Sequence, residues 1–238
     1  MNRFAHTLSA LAICSLAFGQ QADRSFREGL LSLRNEDHRT AIAHFTNAVA
    51  DQPKHAKAWY YRGVSRVVIG DHTGAVHDLD RALLLDPSDA NALLRRAEVY
   101  LKANRYADAR RDLDQLLQQH PWGPIAEHGL FTQGQVGIAE GDYEAARNSY
   151  DRLLEMAPKD PKAWYDRGIA RGHLGDHDGA IMDLTQAIAL DPDLDKAYGS
   201  RAVELIHQDR TEEACTDLHK ARELGDGSVD ELLIIYCY

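Results

Sequence analysis

Ala-Trp-Tyr-Tyr-Arg-Gly at 58–63 returns as Ala-Trp-Tyr-Asp-Arg-Gly at 163–168. Gly-Asp-His-Thr-Gly-Ala-Val at 70–76 returns as Gly-Asp-His-Asp-Gly-Ala-Ile at 175–181, and Leu-Asp-Pro closes both stretches at 85–87 and 190–192. Such an echo, recurring with a unit of 34 residues, restricts the chain to stacked helical hairpins. No hairpin of this size buries its apolar face alone, so the core must grow by stacking neighbours. An array of this kind offers a surface for holding a partner and little enclosed space for chemistry.

With Ala56 as position 1, Trp59 is position 4, Gly63 position 8, Ala75 position 20, Leu79 position 24, Ala82 position 27 and Pro87 position 32. The phase places further units at Ala22, Ala90, Glu127, Pro161 and Asp195, the fourth displaced by three residues. Small residues at 8 and 20 allow the two helices of a hairpin to approach closely, and bulky residues at 4 and 24 fill the space beside them. Gly70, Gly141 and Gly175 fall where the first helix needs a left-handed cap, and Pro53, Pro87, Pro121, Pro158 and Pro192 stop the second helix. This pattern resembles the tetratricopeptide repeat over residues 22–226. The resemblance implies an all-α, right-handed α-solenoid of six helix-turn-helix repeats plus a C-terminal capping helix. Units one to three are expected over 22–121, a register-breaking linker over 122–126, units four to six over 127–226, and the cap over 227–238. Trp122 in that linker either fills a gap at the joint or is an exposed contact.

Residues 1–19 read as a secretory signal peptide: Arg3 gives a positive start, Leu8 to Phe18 is apolar, and Ala17-Phe18-Gly19 fits a small-x-small cleavage site. The run is too short to remain as a membrane span. The chain is therefore expected to be exported, to a periplasm, a cell envelope or the outside. Cys14 leaves with the signal, so Cys215 and Cys237 remain as an even pair in an oxidising compartment. They lie 11 residues either side of Asp226, the pivot between the last repeat helix and the cap, and a disulfide between them is expected.

Arg occupies position 7 in four units (Arg62, Arg96, Arg167, Arg201), and Asp occupies position 23 in the same four (Asp78, Asp112, Asp183, Asp217). An anion site would not carry its own carboxylate each time, so these are read as structural ion pairs tying one helix to the other. The net charge of −10 argues against nucleic acid as a main partner. No glycine-rich phosphate loop, Gly-x-Ser-x-Gly or His-Glu-x-x-His occurs, so no catalytic residue, metal site or cofactor is expected.

In the family that the chain resembles, first helices line a concave surface. On this chain that surface takes peptide-binding candidates Arg27, Lys57, Tyr60, Tyr61, Arg95, Phe131, Lys162 and Tyr165. The expected function is a non-enzymatic scaffold that binds a peptide segment of a partner, one carrying acidic residues. Two alternatives stay open: a self-associating solenoid stacking end to end, and an enzyme or metal-dependent factor with an unrecognised site. The sequence leaves the oligomeric state open.

Overall fold

The computed structural model describes residues 21–238, so the leader expected over 1–19 lies outside the described residues. Among the described residues all regular structure is helical. Hairpins form from α1 (21–34) with α2 (His38–Asp51), α3 (Ala56–Val68) with α4 (His72–Leu85), and α5 (Ala90–Lys102) with α6 (Tyr106–Gln119). The series continues with α7 (Pro124–Glu140) and α8 (Tyr143–Met156), α9 (Pro161–His173) and α10 (His177–Leu190), and α11 (Asp195–His207) and α12 (Thr211–Leu224). A 3-10 turn (Gly227–Val229) leads into α13 (Asp230–Tyr236). The described residues divide into two compact units, 21–119 and 120–238. Pro124 opens α7, so residues 124–126 are the first turn of a helix and not linker. Trp122 is 72% exposed, which removes the gap-filling reading of that residue.

The packing follows residue size. Position 20 is Ala in all six repeats and position 24 is Phe45, Leu79, Leu113, Tyr150, Leu184 or Leu218; all of these are fully buried. The residue at position 8 adjusts to its partner at 24. Where the partner is aromatic, position 8 is glycine: a Cβ on Gly29 would run into the Phe45 ring, and one on Gly134 into the Tyr150 ring. Where it is leucine, alanine is also accepted, as Ala97 and Ala202 show.

Each first helix ends in a left-handed residue at position 15. The row is Glu36 (φ 59°), Gly70 (83°), Asn104 (55°), Gly141 (81°), Gly175 (80°) and Asp209 (59°). Only half of these are glycine, although an L side chain in this region is strained by about 1–2 kcal/mol. The sharp turn places position 16 at the N-cap of the second helix. Asp37, Asp71, Asp142 and Asp176 each accept an N–H three residues on. Units three and six carry Arg105 and Arg210 there, paired instead with Asp108 and Glu213.

Candidate functional site

The four Arg–Asp pairs are two-pronged. Nε and Nη2 of Arg62 donate to Asp78 at 2.8 and 2.7 Å, those of Arg96 to Asp112 at 2.7 and 2.6 Å, and those of Arg201 to Asp217 at 2.7 Å each. Arg167 makes the same contact with Asp183. The four aspartates are buried and the arginines are buried or nearly so. The remaining nitrogen, Nη1, reaches back to position 25 of the preceding repeat: Thr46 (3.1 Å), Asp80 (2.6 Å), Asp151 (2.7 Å) and Thr185 (3.0 Å). Each arginine therefore clamps two hairpins as well as two helices. The other two repeats keep a polar contact at the same place, His44 with Glu28 at 3.3 Å and Ser149 with Gln133 at 3.1 Å. The guanidinium of Arg62 also lies over the Trp59 ring, and that of Arg167 over Trp164, at 4.6 and 4.7 Å. Cys215 and Cys237 are joined as a disulfide, with their Cα atoms 5.6 Å apart, and it pins α13 to α12.

First helices of successive repeats touch one another: α3 with α5 in the first unit, and α9 with both α7 and α11 in the second. In the first unit Arg27, Lys57 and Arg95 are exposed, and Tyr60 and Tyr61 are half-buried. Arg95 pairs with Glu98 at 2.8 Å and also acts on the Tyr60 hydroxyl. Burial raises the Tyr60 pKa, and Arg95 opposes that rise. The Tyr61 ring meets the Tyr60 ring edge-on at 5.0 Å and lies 5.9 Å from those of Phe45 and Phe26, closing an aromatic cluster with them.

In the second unit Phe131 and Lys162 come together. They line an open pocket of about 400 Å³ with Pro124, Glu127, His128, Leu153, Ala157 and Asp160. Tyr165 lies at a second pocket of about 230 Å³, with Ser200, Val203, Asp226 and Leu232 among its walls, so the closing turn and helix shape this part of the face. Burial raises the Tyr165 pKa. Beside it Asp166, half-buried, accepts a hydrogen bond from the Tyr150 hydroxyl at 3.3 Å, and burial lifts its carboxyl to about 6. Among the described residues no group of three or more His, Cys, Asp or Glu is placed to hold a metal ion, and no helix is long and apolar enough to cross a membrane.

The geometry of each unit is that of a helical-repeat solenoid whose first helices present a mixed aromatic and charged face. The tetratricopeptide repeat family matches residues 26–76, 70–123 and 134–206, and the chain is a tetratricopeptide repeat protein. Among curated relatives, human "Tetratricopeptide repeat protein 13" is 27% identical over 165 residues, 67% of this chain and 19% of its own length. Mouse "Superkiller complex protein 3" is 28% identical over 198 residues, 79% of this chain and 12% of its own. The chain thus spans about a fifth or less of these two relatives. Among solved structures, PilW, titled a widely conserved type IV pilus biogenesis factor, superimposes with a TM-score of 0.75 at 17% identity, covering 89% of this chain and 98% of that one. YrrB, titled a TPR protein with an unusual peptide-binding site, gives 0.66 at 21% identity over 78% of this chain and 94% of its own.

Proposed function

We propose that this protein is a non-enzymatic scaffold whose first-helix face binds an extended or helical peptide segment of a partner protein. The observation that carries this reading is Tyr60 beside Arg95: a half-buried ring on an otherwise open face, with an exposed guanidinium at its hydroxyl. Rigid aromatic rings with adjacent arginine are the groups that dominate binding energy at interfaces. Lys57 and Arg27 extend the positive charge of the first unit, which suits acidic residues in the bound segment. Support for a peptide ligand also comes from YrrB, whose title names a peptide-binding site. The Cys215–Cys237 bond supports an oxidising, exported setting, since such bonds persist there and are rare in the cytosol.

The test is affinity capture with the full, oxidised chain, repeated with Tyr60→Ala, Arg95→Gln and Tyr165→Ala combined. Capture should be lost while the helical content and melting temperature hold. If capture survives that change and fails when the outer faces of the second helices are altered, the binding face is misassigned.

Self-association is the second reading. It is favoured by Ile234 and Ile235 on α13, which are 70% and 60% exposed. Light scattering across a concentration series, with and without Ile234→Ser and Ile235→Ser, decides it. A mass that stays monomeric at all concentrations removes it.

A further inference from the structure

The two units carry different charge. Residues 21–119 hold 15 Lys and Arg against 14 Asp and Glu, whereas residues 120–238 hold 11 against 23. The difference reaches the binding face at position 6 of the first helices. That row reads Arg27, Tyr61 and Arg95 in the first unit, and Thr132, Asp166 and Ser200 in the second. Position 5 keeps its aromatic ring, Tyr60 in one unit and Tyr165 in the other. The ring is retained, and at position 6 the cation Arg95 near Tyr60 gives way to the anion Asp166 beside Tyr165, while position 2 stays basic at Lys57, Lys162 and Lys196.

Asp166 is held differently from the four fully buried aspartates. Asp78, Asp112, Asp183 and Asp217 each receive two hydrogen bonds from an arginine. Asp166 receives one, from the neutral Tyr150 hydroxyl, and among the described residues it meets no Lys, Arg or His nitrogen at ion-pair distance. The two lysines of this face are exposed: Lys162 acts on Asp166 only from beyond ion-pair distance, and Lys196 lines the Tyr165 pocket. Asp195 and Asp226 add negative charge around the Tyr165 ring. A carboxylate kept half-desolvated without a cation costs stability, and such costs concentrate at sites that meet a ligand.

We propose that the face of the second unit takes a lysine or arginine side chain of the bound segment, its cation received by Asp166 and its aliphatic stem packed on the Tyr165 ring. This rests on the first-helix faces being the peptide site. It assigns the second unit a basic residue, where the first unit suits acidic ones. The cation would supply the charge-assisted partner that Asp166 lacks, and the ring would add cation–π attraction.

Two short blocked peptides provide the probes, one alternating lysine and leucine, the other glutamate and leucine. Each is titrated at about 0.15 M salt into the isotope-labelled full chain with its disulfide intact, and amide shifts are read residue by residue. The lysine probe should move amides around Asp166, Tyr165 and Ser200. Asp166→Asn, which keeps an oxygen for Tyr150, should weaken it about tenfold and leave the glutamate probe's effect near Arg95 unchanged. Tyr165→Leu provides a second variant that leaves the carboxylate in place, and it too should weaken the lysine probe. Unchanged affinity in Asp166→Asn, or shifts spread over the second helices of the unit, overturns the proposal and assigns the attraction to bulk charge. If neither probe touches any first helix, the peptide-face reading itself falls.

Discussion

Arg167 holds Asp183 through two parallel hydrogen bonds of 2.8 Å, one from Nε and one from Nη2. Without Arg167, Asp183 keeps only the single bond from Arg171 at 3.0 Å, and without Asp183, Arg167 keeps only Asp151 at 2.7 Å. Removing one member of a buried pair typically costs about 3–5 kcal/mol, whereas replacing both by apolar groups costs less. Arg167→Leu is therefore expected to destabilise strongly, and Arg167→Leu with Asp183→Leu by much less than the two single changes added. Urea unfolding of the four proteins checks this. The uncharged Gln133–Ser149 contact in unit four shows that the hairpin itself does not require the charge.

Replacing the strained left-handed residue Glu36 with glycine should raise stability by about 0.5–1 kcal/mol, the relief being offset in part by the looser unfolded chain. Asp209→Gly should gain somewhat less, and Asn104→Gly least, because short polar side chains tolerate this conformation better. Gly175→Ala should lose about 1–2 kcal/mol. Calorimetric melting of the four variants gives the ranking, and a gain from Gly175→Ala would contradict it.

Asp166 sets a distinctive pH signature. Its folded carboxyl titrates at about 6, against an ordinary value of 3.8. The folded state thus binds the proton more tightly than the unfolded state, and stability falls as pH rises from about 4 to about 6. Asp160 adds to the rise, while the Tyr150 hydroxyl and Lys162 oppose it. Asp166→Asn removes this loss and should be more stable than the parent above pH 6, by about 2 kcal/mol once partial solvent access is allowed for. The two proteins should converge below about pH 4. A constant difference across that range would mean the carboxyl is not held in its neutral form by burial.

Opening the Cys215–Cys237 bond, which spans 22 positions, should remove about 3 kcal/mol in the chain-entropy account. The loss should be local. A closing helix of seven residues is too short to persist alone, so amide exchange in α13 should speed up on reduction while α3 and α4 keep their protection.

The repeat frame was legible because its signals are periodic. Alanine at position 20, proline at position 32 and the Arg–Asp spacing recur whatever the surface does. What escaped was set by geometry that several residue types can satisfy. The left-handed position 15 is visible at Gly70 but not at Glu36 or Asp209, where the turn overrides the side chain's preference. The backward reach of Arg167 to Asp151 had a signal, a second polar residue 16 places upstream, but Thr46 and Thr185 do the same work without charge. On the binding face, sequence spacing placed Tyr61 beside Tyr60 but could not show that its ring closes a cluster with Phe26 and Phe45. The reversal of charge between units was countable in the sequence. Its meaning at Asp166 needed the absence of a cation at ion-pair distance, which only the structure reveals.

Stacked hairpins come apart most readily where a hairpin has a neighbour on one side only. The Cys215–Cys237 bond withdraws that option from α13, which cannot lift away while its end is tied to α12. Under a pulling force on residue 238, α13 should therefore leave only together with α12, whereas α1 at the other end has no such tie. A partner that tugs on this protein would find it yielding from one side and anchored on the other, and redox state would choose whether that polarity exists.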